Sequence, residues 1–163
     1  PESTAVAADY STTMRNSATD ALAEYGDRVT IIELDMFSSA WTNAAIGFDV
    51  VISAFAIHHG ESNEVYRSVY QRIYEALKPG GLFINLDHVA GEDRAGSITN
   101  AQKWRDFLDQ DGEIESDKFI LGSYAEDRPI SISTHRRLLL ETGFEHVETH
   151  WQDMIFGLYS GSK

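Results

Sequence analysis

Two hydrophobic periods run along this chain. Thr4 to Ala8 is a short run of small and apolar residues, which predicts a buried strand. Ser11 then offers its hydroxyl to the free amides of a first helical turn, and Met14, Ala18, Ala21, Leu22 and Tyr25 share one helical face. Gly26 is the expected end of that helix, because glycine takes a left-handed terminal conformation without strain. Val29 to Leu34 is β-branched and predicts a second strand, followed by a polar loop over Ser38 to Gly47. Val50 to Ala54 is apolar at every position but one, as parallel strands covered on both faces tend to be.

From Ser62 to Leu77 the period returns to the helical value, with Val65, Tyr66, Val69, Tyr70, Ile73, Tyr74 and Leu77 in one broad stripe. Lys78-Pro79-Gly80-Gly81 stops that helix and turns the chain into a fourth strand, Leu82 to Leu86. Residues 90–128 are polar, acidic and less periodic, with a helix expected near Ala101 to Leu108; they suggest a lid-like insertion over the strand ends. A last helix, Thr134 to Thr142, stops at Gly143. Two strands, Phe144 to Trp151 and Met154 to Ser160, then form an antiparallel hairpin about Gln152-Asp153. The alternation of strand and helix predicts an α/β, Rossmann-like fold: a mostly parallel sheet with helices on both faces and a C-terminal antiparallel hairpin.

The length of 163 residues suits a single domain, 1–163. Hydrophobic residues at 42% and charged residues at 24% are those of a globular chain. A net charge of −13 speaks against a surface that tracks nucleic-acid phosphates. No run is apolar enough to cross a membrane as a helix, no signal-peptide pattern opens the chain, and there is no cysteine. The expected setting is the cytoplasm, with neither membrane nor nucleic acid as partner.

In open α/β sheets ligands bind beyond the carboxyl ends of the strands, so the residues there are the candidates. Asp9 ends the first strand; a carboxylate at this position accepts from both hydroxyls of a ribose, though it serves equally to start a helix. Asp35 and Met36 end the second strand, where a carboxylate and the next amide suit an adenine edge. Ser53 and Ala54 end the third, and being small they let a ligand approach the backbone. His58 and His59 follow; either is a candidate base. No Asp, Glu or Cys stands at ligand spacing beside them, so no metal is expected. Asp87 and His88 end the fourth strand, and with Tyr124, Asp127 and Arg128 of the lid they are candidate substrate contacts. Asp49, at the opposite edge, is expected to bond the backbone of a neighbouring turn. Gly80 and Gly81 follow a helix and precede a strand, the reverse of an anion-binding order, and are structural. Tyr66, Tyr70 and Tyr74 are expected as half-buried packing.

Segments of the chain, taken in order, resemble a class I S-adenosylmethionine-dependent methyltransferase of the small-molecule type. A-A-D-Y-S at 7–11 resembles the end of the family's second strand, E-L-D-M at 33–36 its adenine-binding segment, and F-D-V-V-I-S-A-F-A-I-H-H at 48–59 its fourth strand and following loop. L-K-P-G-G-L-F-I-N-L-D at 77–87 resembles the fifth strand, and 139–148 with 155–163 the last helix and hairpin. The resemblance implies S-adenosyl-L-methionine as cofactor, with Asp9, Tyr10, Asp35, Met36, Ser53 and Ala54 beside it. It also implies methyl transfer to a small-molecule acceptor. The family's first strand and glycine-rich loop are missing, for no G-x-G occurs in these residues. Counting back from Asp9 places that loop roughly ten residues before Pro1, so the expectation is an N-terminally truncated domain that is inactive alone. Two alternatives remain open on the same residues: a non-catalytic binding or scaffold homologue, and a nicotinamide-dependent dehydrogenase on a related fold.

Overall fold

The structure, a computed structural model, describes residues 3–38, 41, 46–109 and 129–163. The chain divides into two compact units, Pro1–Ile46 and Gly47–Lys163.

The first unit is one strand–helix–strand crossover. Strand β1 (Ala5–Asp9) pairs in parallel with β2 (Val29–Glu33), from Ala5 opposite Val29 to Asp9 opposite Glu33. Helix α1 (Thr12–Ala21) connects them, and the Ser11 hydroxyl accepts from the Met14 amide as its N-terminal cap. The helix ends earlier than Gly26. Leu22 closes it, and a tighter 3-10 segment, Ala23–Arg28, carries the chain to β2. Gly26 interrupts that segment with φ 53° and ψ −133°, so it makes a kink and not a helix terminus. The guanidinium of Arg15 ties the unit together, donating to the carbonyls of Asp9 and Tyr10 and pairing with Glu33 at 2.7 Å. None of the described residues of this unit is buried.

The second unit holds the core. Its four-stranded sheet has the order β3 (Phe48–Ala54), β4 (Leu77–His88), β6 (Phe156–Ser162), β5 (Glu145–Asp153). β3 and β4 are parallel, joined by α2 (Asn63–Ala76), and β6 runs antiparallel to both of its neighbours. Helix α3 (Arg94–Asp109) follows β4, starting well before the expected position, and α4 (Ile132–Thr142) precedes the hairpin. Ser62 and Ser131 cap α2 and α4 through their hydroxyls. Gly143 takes φ 108°, where its amide reaches back to the Leu140 carbonyl; this left-handed stop is the one that glycine permits.

Strand β4 sets the layering. Its odd residues Phe83, Asn85 and Asp87 are buried, while Leu82 is 37% exposed and Ile84, Leu86 and His88 are only partly covered. The odd face lies under α2 and α4, whose Tyr66, Val69, Tyr70, Ile73, His135, Leu138 and Leu139 complete the core. On the other face Val50 and Ile52 of β3 are 46% and 72% exposed. Close packing fixes Gly157 on β6, because a Cβ there would meet the Ile132 side chain at 2.5 Å.

Four further expectations change. β4 begins at Leu77, ahead of Pro79-Gly80-Gly81, because Leu77 pairs with Phe48 and an irregularity beyond Phe48 absorbs the turn. The hairpin turns at Met154-Ile155, since Ile155 is buried and its carbonyl accepts from the Val89 amide. Asp49 pairs through its side chain with Lys78 Nζ at 2.8 Å, and among the described residues its carboxylate accepts from no backbone amide. Tyr66 and Tyr70 are wholly buried, because their hydroxyls find partners inside. The lid candidates Tyr124, Asp127 and Arg128 lie outside the described residues. Among the described residues no helix is long and apolar enough to cross a membrane.

A two-stranded sheet with one helix buries too little apolar surface to hold itself closed. In hydrogen exchange, the amides of Val6, Ala7 and Ile31 should therefore exchange faster than those of Ile84, Asn85 and Leu86. Equal protection in the two sets would contradict this account.

Candidate active site

In the first unit, Asp9 and Asp35 stand at the carboxyl ends of neighbouring parallel strands. Each carboxylate spends one oxygen on the amide two residues ahead. Ser11 N–H donates to Asp9 at 2.8 Å, and Phe37 N–H to Asp35 at 2.9 Å. The second oxygen of each has no partner among the described residues, so both carboxylates are oriented yet hold acceptor capacity. Tyr10 and Met14 beside them are 74% and 55% exposed. The Met36 carbonyl accepts from the indole of Trp41.

In the second unit, β3 ends at Ala54, which is exposed; the Ser53 hydroxyl, by contrast, is buried without a partner among the described residues. Phe55 comes next with φ 51°, pinned by its amide to the Leu86 carbonyl. That conformation is uncommon for a bulky residue and costs on the order of 1–3 kcal/mol. The chain then forms the 3-10 segment Ile57–His59. His58 is buried and His59 exposed, with their rings 4.0 Å apart.

Asp87 organises this end of the sheet. It is 0% exposed and accepts five hydrogen bonds: from the amides of Ile57, His58 and His88, from the Asn85 side chain, and from His58 Nδ1 at 2.6 Å. Burial alone would raise its carboxyl, but the bond and charge of His58, with Asn85 and the His88 amide, outweigh it and hold the group below the ordinary carboxylate range. An ionised carboxylate only accepts, so Nδ1 of His58 carries a proton, and in the neutral imidazole the lone pair is left on Nε2. The two adjacent histidines are thereby distinguished: His58 has the orienting carboxylate.

The same charge fixes the direction of a longer chain of bonds. Asn85 Nδ2 donates to Asp87 and to Tyr159 Oη at 2.7 Å. The Tyr159 hydroxyl therefore donates to Tyr70 Oη (3.0 Å), and Tyr70 donates to His135 Nδ1 (2.6 Å). His135 must be neutral to accept, which places its proton on Nε2, an atom with no partner among the described residues. Burial lowers His135 to about 4 against a small opposing effect of Asp87. Burial also raises Tyr70 and Tyr159. None of Asn85, Tyr159 and His135 stood out in the sequence. The signals were an amide inside the apolar run L-F-I-N-L and a histidine on the apolar face of α4.

His88 is half-buried, its ring 4.5 Å from that of His58. No group of three or more His, Asp or Glu among the described residues is arranged to hold a metal ion.

A family model described as a methyltransferase domain matches residues 1–81. Carboxy-S-adenosyl-L-methionine synthase of Wolinella succinogenes is 24% identical over 158 residues, which cover 95% of this chain and 63% of that protein. The chain spans about half to two thirds of the length of the curated relatives it matches. Among solved structures, the S-adenosylmethionine-dependent methyltransferase SibL in its apo form superposes with TM-score 0.70 at 20% identity, covering 97% of this chain and 42% of SibL. PigF with SAH superposes with TM-score 0.67 at 19% identity, again over 97% of this chain and 42% of its own. The Rossmann-like fold expected from the strand–helix pattern is the fold these structures share.

His135 gives the structure a pH dependence of defined sign. Its native pKa of about 4 lies below the ordinary 6.5, so the unfolded chain takes up the proton first as pH falls. The stabilisation is complete above pH 6.5 and is lost as pH falls towards 4, by about 3 kcal/mol in all. Asp87, whose pKa is lowered, loses its contribution only at still lower pH. Melting temperatures measured from pH 7 to pH 4 should fall steeply for the native chain and less steeply for His135→Phe, which can still stack on Tyr159 but cannot titrate. Equal slopes would refute this assignment.

Proposed function

We propose that this class I S-adenosylmethionine-dependent methyltransferase domain takes part in methyl transfer to a small-molecule acceptor. It would supply the nucleoside half of the cofactor site and the base that serves the acceptor. The observation that carries the reading is the pair of carboxylates, Asp9 and Asp35, at the ends of adjacent parallel strands. Each is held by one amide and has one oxygen to spare. Spare acceptors suit the hydroxyls of a ribose and the exocyclic amine of adenine, so the residues present fit that part of the cofactor. Tyr10 and Met36 adjoin them along the chain.

The cofactor, when bound, supplies a methyl group on a sulfonium that is already a good leaving group. The chain's own part is then binding, orientation and a proton acceptor. His58 holds its lone pair on Nε2 because Nδ1–H is committed to Asp87. Asp87 steadies the imidazolium that forms when the proton arrives; being buried, it acts through His58. The glycine-rich loop that holds the methionine end in this family has no counterpart in these residues.

A second reading is favoured by the curated relative matched over 95% of the chain, which is named as a carboxy-S-adenosyl-L-methionine synthase. Under it the same nucleoside site is used, and the cofactor itself is the product. Mass spectrometry of the reaction mixture separates the two outcomes: a methylated acceptor with S-adenosylhomocysteine, or a heavier cofactor.

Binding of S-adenosylhomocysteine to the full protein, followed by calorimetry, should weaken about 10- to 100-fold in Asp9→Ala, the value of a bond to a charged group. His58→Gln should leave that affinity unchanged and lower the methyl-transfer rate by about 10²- to 10⁴-fold. Unaltered cofactor affinity in Asp9→Ala would defeat the reading.

A further inference from the structure

Asn85 sits inside the sheet, with Ser53 opposite on β3 and Tyr159 opposite on β6, and it is 0% exposed. An amide is costly to bury where an apolar side chain would pack as well, unless its bonds repay the desolvation. Both hydrogens of Nδ2 are committed. One goes to Asp87 Oδ2 at 3.2 Å and the other to Tyr159 Oη at 2.7 Å. The amide oxygen is buried with no partner among the described residues. Turning the amide over would set that oxygen against the Asp87 carboxylate, which can only accept, so charge fixes the orientation.

The two bonds are unequal, and they pull the nitrogen in different directions. Beyond Tyr159 the line continues through Tyr70 to His135 Nδ1. A hydroxyl that donates onward becomes a better acceptor, so this line strengthens the hold of Tyr159 on Asn85. The short bond keeps Nδ2 back from Asp87 and leaves that carboxylate a slack donor on Oδ2. On Oδ1 the same carboxylate takes Nδ1 of His58 at 2.6 Å. A carboxylate shares one charge among its donors, so a donor that closes in on one oxygen weakens the bond at the other. We infer that Asn85 is a positioning residue that acts on His58 through Asp87, and that Tyr159, backed by Tyr70 and His135, tunes it by restraining the amide.

The service of His58 as a base rests on the methyl-transfer reading; the tuning of its bond to Asp87 does not. The bond to His58 is strong because the bond to Asn85 is slack. Side chains on β6, α2 and α4 thus reach the segment after β3 without touching it, each link being a hydrogen bond between buried groups.

The test is nuclear magnetic resonance on the full protein with isotopically labelled histidine. His58 is 3% exposed, so the proton on its Nδ1 is shielded from exchange with water and gives a low-field signal, assigned by its loss in His58→Gln. Such a proton moves to lower field as its hydrogen bond shortens. Two variants push the bond in opposite senses. Asn85→Leu is close in size and takes a donor from Asp87, so the signal should move to lower field. Tyr159→Phe frees the amide to close on Asp87, so the signal should move to higher field. His59 and His88, whose rings lie against that of His58, are the same in both variants. Asn85 as a mere filler of the core would give no such opposition. A signal that stays in place in a folded variant, or moves the same way in both, overturns the inference. If Asn85→Leu fails to fold, Tyr159→Phe decides alone, because a shift to lower field or none contradicts the restraint. Methyl transfer is scored separately. Opposite shifts in a protein that transfers no methyl group from S-adenosylmethionine would sink the methyl-transfer reading and leave the tuning standing. Transfer with an unmoved signal would do the reverse.

Discussion

A single buried carboxylate holds the end of β3 and β4 in shape. Asp87 has no contact with water, and an unpaired charge there would be far too costly to keep. Its two oxygens are met by five donors, drawn from the 3-10 segment after β3 and from β4 itself. The loop that bears His58 is therefore folded around the end of β4 as a condition of burying that charge. Through Asn85 the same charge sets which way each proton points along Tyr159, Tyr70 and His135. A core that looks like ordinary aromatic packing is thus ordered by electrostatics at one end.

The alternation of β4 explains why the polar network lies where it does. Asn85 and Asp87 occupy the face under α2 and α4, where dense packing leaves no water to compete for their bonds. The opposite face carries Val50, Ile52 and Leu82 with much of their surface uncovered. The first unit, in which no described residue is buried, likewise draws little from its own packing. What orders it is largely local: the Ser11 cap, the parallel ladder and the several bonds of Arg15.

Much of the architecture was legible because its determinants are local. Ser11 and Ser62 marked helix starts, Gly143 marked a helix end, and the β-branched runs marked β2 and β3. Where the reading slipped, a distant residue had decided the matter. Leu77 joins β4 because Phe48 pairs with it, and the hairpin shifts because Ile155 is buried against the chain after β4. At the candidate site, the strand-end rule pointed to Asp9, Asp35, His58 and Asp87 by position. It could not separate His58 from His59, because the distinction rests on a carboxylate about thirty residues on. Nor could it foresee the positive φ of Phe55, a backbone angle that no residue pattern announces.

The two edges of the four-stranded sheet differ in kind. Along β5 the ladder to β6 slips twice, His146 takes a positive φ, and Glu145, Glu148 and Asp153 add charge. An edge so interrupted is a poor template for any further strand. Along β3 the ladder runs in register from Val50 to Ala54, and the edge strand is largely apolar. Among the described residues of this unit, growth of the sheet is therefore directional: it is blocked at the hairpin and open at β3. A designer lengthening this sheet, or a chaperone guarding it during synthesis, would have one side to attend to.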